Sequence, residues 1–218
     1  MIVDTSEMIT LIGGAGASLD DVSRAMSLCS NAIAADGGAD VALDAGVELT
    51  HVIGDLDSLS PRARATFAEI TVSVAEQETT DFEKCLLRTS AKQILALGFL
   101  GGRLDHQLSV LNVLARFRDR NVVLFGETDV CVLIPQGGLT FEMPTGTRLS
   151  LMPVSAARVW SSGLRWDLSG EAMTPDGFVS ISNEVDGQVS LRADGAVLMV
   201  APATHLETVW AAVSNSAR

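Results

Sequence analysis

The chain predicts an α/β fold in two parts: an N-terminal mostly parallel three-layer α/β domain over residues 1–135, and a C-terminal antiparallel β-sandwich domain over residues 136–218. Two observations carry this. Up to about Leu133, short runs that are apolar throughout alternate with amphipathic stretches, as strands buried on both faces and their crossover helices require. After Pro135, Gly and Pro recur every several residues between short, roughly alternating runs, which is the pattern of an antiparallel sheet.

In the first part, Met8–Ile12, Asn31–Ala35, His51–Ile53, Ile70–Val74, Gln93–Leu97 and Asn121–Phe125 read as strands. Ser18 and Asp20 mark the start of a helix running to Leu28. Ser60 precedes a proline at the first position of a helix over Pro61–Ile70. Thr80 and Glu83 form a capping box, so a helix starts at Thr80, with Phe82, Cys85 and Leu86 on its buried face and Asp81, Lys84 and Arg88 opposite. A helix from Leu104 to Phe117 carries a stripe of Leu104, Leu108, Leu111 and Leu114. In the second part, Leu139–Met143, Arg148–Met152, Ala157–Trp160, Val179–Ser182, Gln188–Ala193 and Ala196–Ala201 read as strands, and Ser214–Arg218 as a frayed end.

The 218 residues carry 27 acids against 15 bases, a formal net charge of −12. A nucleic-acid binder needs a basic stripe, so that class is excluded. Cys29, Cys85 and Cys131 lie far apart in apolar surroundings; they form neither a disulfide framework nor a zinc-ligand spacing and read as core residues of a reducing compartment. There is no basic segment leading into a long apolar stretch and no run long enough to span a bilayer, so a soluble cytoplasmic protein with no membrane partner is expected.

Acidic turns follow several of the apolar runs. Asp36-Gly37-Gly38, Gly54-Asp55-Leu56-Asp57-Ser58 and Gly101-Gly102-Arg103-Leu104-Asp105-His106 each leave a strand, and Asp81 opens a helix. In a parallel sheet, residues past the carboxyl ends of strands line the ligand crevice. Carboxylates gathered there repel one another unless a cation sits among them, which points to a divalent metal and phosphate chemistry. Asp55 and Asp57 can turn toward one ion, Asp81 is a third candidate, and oxygen donors of this kind suit Mg²⁺. The Asp55–Ser58 segment also fits a solvated turn in which Asp57 or Ser58 caps the next helix. Arg103 offers a planar fork for phosphate, and the two glycines before it allow close backbone approach. Asp105 alternatively caps its helix, with His106 on the surface. Gly13-Gly14-Ala15-Gly16 lacks the dinucleotide spacing and reads as a strand-end loop.

Taken in order, Ala-Asp-Gly-Gly-Ala (35–39), Ile-Gly-Asp-Leu-Asp-Ser (53–58), Thr-Asp-Phe-Glu-Lys (80–84), Gly-Gly-Arg-Leu-Asp-His (101–106) and Ser182-Asn183-Glu184 resemble the thiamin pyrophosphokinases over almost the whole chain. The resemblance implies transfer of a pyrophosphoryl group from ATP to the hydroxyethyl oxygen of thiamin, with Mg²⁺, giving thiamin diphosphate and AMP. It also implies a homodimer with active sites between subunits. Carried over by motif, Asp55, Asp57 and Asp81 would hold the metal and, with Arg103, serve catalysis. Asp36, Gly37, Gly38, Arg103, Asp105 and His106 would meet the nucleotide. Asp57, Ser58, Gln77, Thr80, Asp81, Lys84, Ser182 and Asn183 would meet the acceptor.

Two departures stand out. Glu78 takes the place of an aspartate that often occurs in the Gln-Asp-x-Thr-Asp stretch, and Val185-Asp186-Gly187-Gln188 lacks the aromatic that follows Ser-Asn in some members. Other readings are a pyrophosphokinase acting on another heterocycle such as a hydroxymethylpterin, and a non-catalytic thiamin or nucleotide sensor. A phosphatase of the Asp-x-Asp type ranks low, because its acids would close a strand near the N-terminus of the domain. Trp160, Trp166 and Trp210 read as core or interface aromatics.

Overall fold

The computed structural model describes residues 2–216. The described residues divide into two compact units, one formed by residues 2–113 and 124–127, the other by residues 114–123 and 128–216.

The first unit is an α/β layer. Strands β1 (Met8–Ile12), β2 (Ala32–Ala35), β3 (Leu49–Gly54), β4 (Thr71–Ser73) and β5 (Gln93–Leu97) pair in parallel in the order β5-β1-β2-β3-β4. The last two residues of β6 (Asn121–Phe125), Leu124 and Phe125, also belong to this unit. Ile9, Leu11, Ile12, Ile33, Ala34, Val52, Ile53, Ile94 and Leu95 are fully buried, as strands covered on both faces must be. Helix α1 (Leu19–Leu28) starts with a complete capping box, the Ser18 hydroxyl accepting the Asp21 N–H and the Asp21 carboxylate accepting the Ser18 N–H. Ser60 caps α3 (Pro61–Thr66) with Pro61 in its first turn, and a 3-10 turn at Ala68–Ile70 completes the stretch expected to be one helix. Thr80 caps α4 (Asp81–Arg88), its hydroxyl accepting the Glu83 N–H at 3.3 Å.

Between β2 and β3 stands α2 (Gly38–Asp44), a helix the sequence reading passed over because Asp-Gly-Gly reads as a turn. Two expected faces also differ. Lys84 lies on the buried side of α4 at 2% exposure, not opposite the apolar residues. On α5 (Leu104–Arg116) the buried face is Val110, Val113 and Leu114, while Leu104 and Leu108 are exposed. The leucine spacing is helical, but in the first turns of α5 it falls on residues that face solvent.

The second unit is antiparallel. β7 (Asp129–Leu133), β9 (Arg148–Pro153) and β13 (Val197–Pro202) pair in the order β7-β13-β9, and β10 (Ala157–Leu164) pairs with β11 (Ser169–Met173). The two expected strands Val179–Ser182 and Gln188–Ala193 are one long strand, β12 (Ser180–Ala193). Its first residues pair with β9, and its later ones with β10 and β8 (Leu139–Phe141). A strand that passes from one sheet to the next is how two antiparallel sheets share a corner. The core holds Val159, Met173, Val189, Leu191, Val197 and Met199. Residues expected to fray form instead the end of α6 (Leu206–Ser216), which buries Leu206, Val209, Trp210 and Val213; residues 217 and 218 lie outside those described.

No helix among the described residues is long and apolar enough to cross a membrane.

Candidate active site

The carboxyl ends of β1, β2, β3 and β5 open into one cleft of about 830 Å³, lined by Asp36, Asp55, Ser58, Gln77, Asp81, Lys84, Arg103 and His106 among others. Phe82 and Phe99 form an apolar wall, their ring centroids 4.8 Å apart.

Asp36 follows β2 directly and lies in the left-handed region, with φ 42°, a conformation that costs an L-residue free energy and is kept where the surroundings impose it. It is 3% exposed. Its N–H is fixed by Ile53 O at 2.9 Å, and its Oδ2 accepts the Ser58 N–H at 3.3 Å. Its other oxygen, Oδ1, is buried and has no hydrogen-bond partner among the described residues. Leu56 is also left-handed, φ 71°, and its carbonyl accepts from the Arg64 guanidinium. That turn brings Asp55 and Asp57 to the same side. Ligand oxygens of Asp36, Asp55 and Asp57 all lie within 4.8 Å of one another.

Asp81 is held differently. The Lys84 ammonium donates to Asp81 Oδ1 at 3.0 Å and to Asp55 Oδ2 at 3.1 Å, while Gln77 donates to Asp55 Oδ2 at 2.9 Å. Burial pulls the Asp55 carboxyl upward, but hydrogen bonds from Lys84, Gln77 and the Asp57 N–H outweigh it and hold Asp55 below the ordinary carboxylate range. Burial pushes Asp81 above that range, and its bond to Lys84 offsets this only in part. For Lys84, burial acts to lower the pKa, and the two carboxylates overcome it and raise it.

At the rim, Gly101 (φ 101°) and Gly102 (φ 68°) take conformations open to glycine, and the loop they make delivers Arg103. Arg103 and Asp105 form a two-point pair, Nε to Oδ1 at 3.1 Å and Nη2 to Oδ2 at 2.6 Å, with both side chains well exposed. Arg103 and His106 line the cleft; Asp105 holds Arg103 and is not part of the lining.

In the second unit, Ser182 is exposed and left-handed, φ 57°, with its N–H on Ser150 Oγ at 3.0 Å. Asn183 is 2% exposed. Its amide clasps the Trp166 peptide, Oδ1 accepting the Trp166 N–H at 3.2 Å and Nδ2 donating to the Trp166 carbonyl at 2.8 Å. Trp166 is 55% exposed, and the Arg165 guanidinium lies 4.8 Å over its ring. It is therefore no core residue. Three features escaped the sequence reading: Asp36 beside the Asp55–Asp57 pair, the burial of Lys84, and the presentation of Trp166. The acid-glycine motif pointed to the first; no local pattern marks the other two.

The fold and cleft define a class: a parallel α/β unit with carboxylates gathered at its strand ends, carried on one chain with an antiparallel β unit. Comparison with known proteins is specific. The family model described as thiamin pyrophosphokinase, catalytic domain, matches residues 7–125, and that described as thiamin pyrophosphokinase, vitamin B1 binding domain, matches residues 132–198. Thiamine pyrophosphokinase 1 of Arabidopsis thaliana is 33% identical over 170 residues, covering 66% of this chain and 62% of the relative. Thiamine pyrophosphokinase 1 of rice is 31% identical over 201 residues, covering 76% of each. The crystal structure of thiamin pyrophosphokinase from Geobacillus thermodenitrificans superposes with a TM-score of 0.74 at 23% identity, over 89% of this chain and 96% of that one. The chain belongs to the thiamin pyrophosphokinase family.

Proposed function

We propose that this chain transfers a pyrophosphoryl group from ATP to the hydroxyl of thiamin, releasing thiamin diphosphate and AMP. The observation that carries the reading is the convergence of Asp36, Asp55 and Asp57 at the strand ends, with Asp81 tied to them through Lys84.

A divalent metal fits these residues. The donors are all hard carboxylate oxygens, and Asp36 Oδ1 is a buried acceptor with no partner among the described residues, which is costly unless a cation meets it. Asp36, Asp55 and Asp57 would hold the ion, and Mg²⁺ is the ion that phosphate substrates favour. When bound, it would neutralise phosphate charge beside the carboxylates.

The remaining roles fall to the chain's own groups. In the transfer, the thiamin oxygen forms a bond to the β-phosphorus as the bond from that phosphorus to the α–β bridging oxygen breaks, and AMP leaves with that oxygen. Such reactions depend on positioning and charge stabilisation more than on covalent help. Asp81 receives the hydroxyl proton; its raised pKa makes it a better base than an ordinary aspartate. Arg103 turns from Asp105 to the leaving phosphate; both side chains are exposed at the rim, so the exchange needs no buried group to move. His106 and the Asp36-Gly37-Gly38 turn lie on the nucleotide side; Ser58, Gln77 and Thr80 lie on the acceptor side. Trp166 and Ser182 offer the vitamin-binding unit a ring face and a hydroxyl, and a cation already stacks on that ring, as the thiazolium would. The reading includes a cytoplasmic homodimer, which light scattering on the purified chain would check.

The test is an acceptor panel. With ATP and Mg²⁺, AMP release should require thiamin and be absent with a hydroxymethylpterin. Turnover with the pterin alone would reassign the acceptor, and nucleotide or thiamin binding without AMP would make the chain a sensor.

A further inference from the structure

We propose that Arg64, a residue outside the cleft, sets the cation affinity of the Asp36, Asp55 and Asp57 oxygens by holding one peptide plane in the turn between two of them. This role rests on the metal reading above and extends it to a residue that touches neither substrate nor ion.

The turn depends on Leu56. It stands between Asp55 and Asp57 in the left-handed region, φ 71°, which a bulky L-residue leaves unless it is held. Its side chain packs against an apolar cluster that includes Ala63 of α3. Its carbonyl accepts from Nη2 of Arg64, one residue further along the same helix. Arg64 is itself exposed and does not line the cleft.

A trans peptide is planar, so fixing its oxygen also aims its N–H the opposite way. The N–H of this peptide belongs to Asp57 and donates to Asp55 Oδ1 at 3.4 Å. Arg64 and Asp55 thus grip opposite ends of one peptide unit, and the Asp57 side chain departs from the next backbone atom. Without Arg64 the plane is free to turn as Leu56 relaxes to a negative φ. That rotation carries the Asp57 carboxylate away from the Asp36 and Asp55 oxygens, which it now meets within 4.8 Å.

The sign of the effect separates positioning from charge. Arg64 is a cation beside a site for a cation, so on charge alone its removal would strengthen metal binding. As a positioning residue it does the reverse. Arg62, on the same helix and also exposed, pairs instead with Asp44, Nη2 to Oδ1 at 3.0 Å, and supplies the comparison.

The probe is Mn²⁺ alone, titrated against the intact chain by electron paramagnetic resonance of the free ion. Arg64→Met keeps the stem and loses the donors; it should raise the dissociation constant by about 10-fold, as loss of a group behind metal ligands does. Arg64→Lys keeps a donor for the carbonyl and should recover most of that loss. Arg62→Met should leave the constant unchanged or lower it. With ATP and thiamin, Arg64→Met should need more Mg²⁺ for half-maximal AMP release and approach wild-type turnover when Mg²⁺ saturates. Binding by Arg64→Met as tight as wild type or tighter would overturn the proposal and leave the metal reading intact. An equal loss in Arg62→Met would also overturn it, since Arg62 does not meet the turn. No Mn²⁺ binding by wild type would remove the metal reading and this proposal together.

Discussion

Gly54 leaves the space that Asp36 occupies: a Cβ built on Gly54 would lie 2.8 Å from the Asp36 Cβ and 3.2 Å from its Oδ1. The ends of β2 and β3 thus meet at a glycine and an acid held left-handed. Gly54→Ala should displace Asp36, cost about 1–3 kcal/mol as overpacked sites do, and reduce turnover well beyond that loss of stability. Urea unfolding and AMP release at a temperature where the variant is folded check both parts. A stable variant with wild-type turnover would separate Asp36 from the chemistry.

The carboxylates can be tested without altering shape. Asp57→Asn and Asp81→Asn should fold normally and lose AMP production by about 10²–10⁴-fold with saturating ATP, Mg²⁺ and thiamin. Asp57→Asn should also weaken Mn²⁺ binding, because Asp57 stands in the oxygen group, whereas Asp81→Asn should retain most of it.

The pH dependence of stability has opposite signs at two neighbouring acids. Asp55 is depressed in the folded chain, so its contribution is fully present above the ordinary value of 3.8 and is lost as pH falls through the lower folded value. Asp81 is raised in the folded chain, so its contribution is present at low pH and is lost as pH rises through the raised value. In chelator, Asp55→Asn should show a shallower loss of stability as pH falls below 3.8, and Asp81→Asn should gain on wild type as pH rises above 3.8. Urea unfolding across that range reads both slopes; profiles parallel to wild type would contradict the assignment.

Asn183 is expected to act through Trp166. Asn183→Ala leaves the Trp166 N–H and carbonyl without the amide that clasps them, at a cost of about 1–3 kcal/mol. It should raise KM for thiamin while KM for ATP stays within error, and lower the fluorescence anisotropy of Trp166. Trp166→Ala should give the same split in KM. Equal changes for both substrates would place the pair outside the acceptor site.

How much of this was legible in the sequence depends on whether the information was local. The parallel strands were readable because β1, β2 and β5 are apolar on both faces, and the caps at Ser18, Ser60 and Thr80 because each acts within three residues. The acids past the strands followed from the same logic. Lys84 was misplaced because a helical wheel ranks a lysine by polarity, and its burial is made tolerable by Asp81 on its own helix together with Asp55, distant in sequence. Leu104 and Leu108 erred the other way, since spacing gives a helix face but not what lies beneath it. Helix α2 was hidden by glycines that serve close approach at the strand end, and α6 by its place at the end of the chain. Asn183 was read from its motif alone, and its hydrogen bonds to Trp166 join two residues that no spacing connects.

The central claim is that this cleft moves a pyrophosphoryl group, in one step, from ATP to thiamin. Mass spectrometry of the products from ATP labelled in its β-phosphate, with Mg²⁺, thiamin and pure protein, tests it most directly. The expected result is the label in thiamin diphosphate and an equal amount of unlabelled AMP. Labelled ADP with thiamin monophosphate, or no phosphorylated thiamin at all, would contradict it.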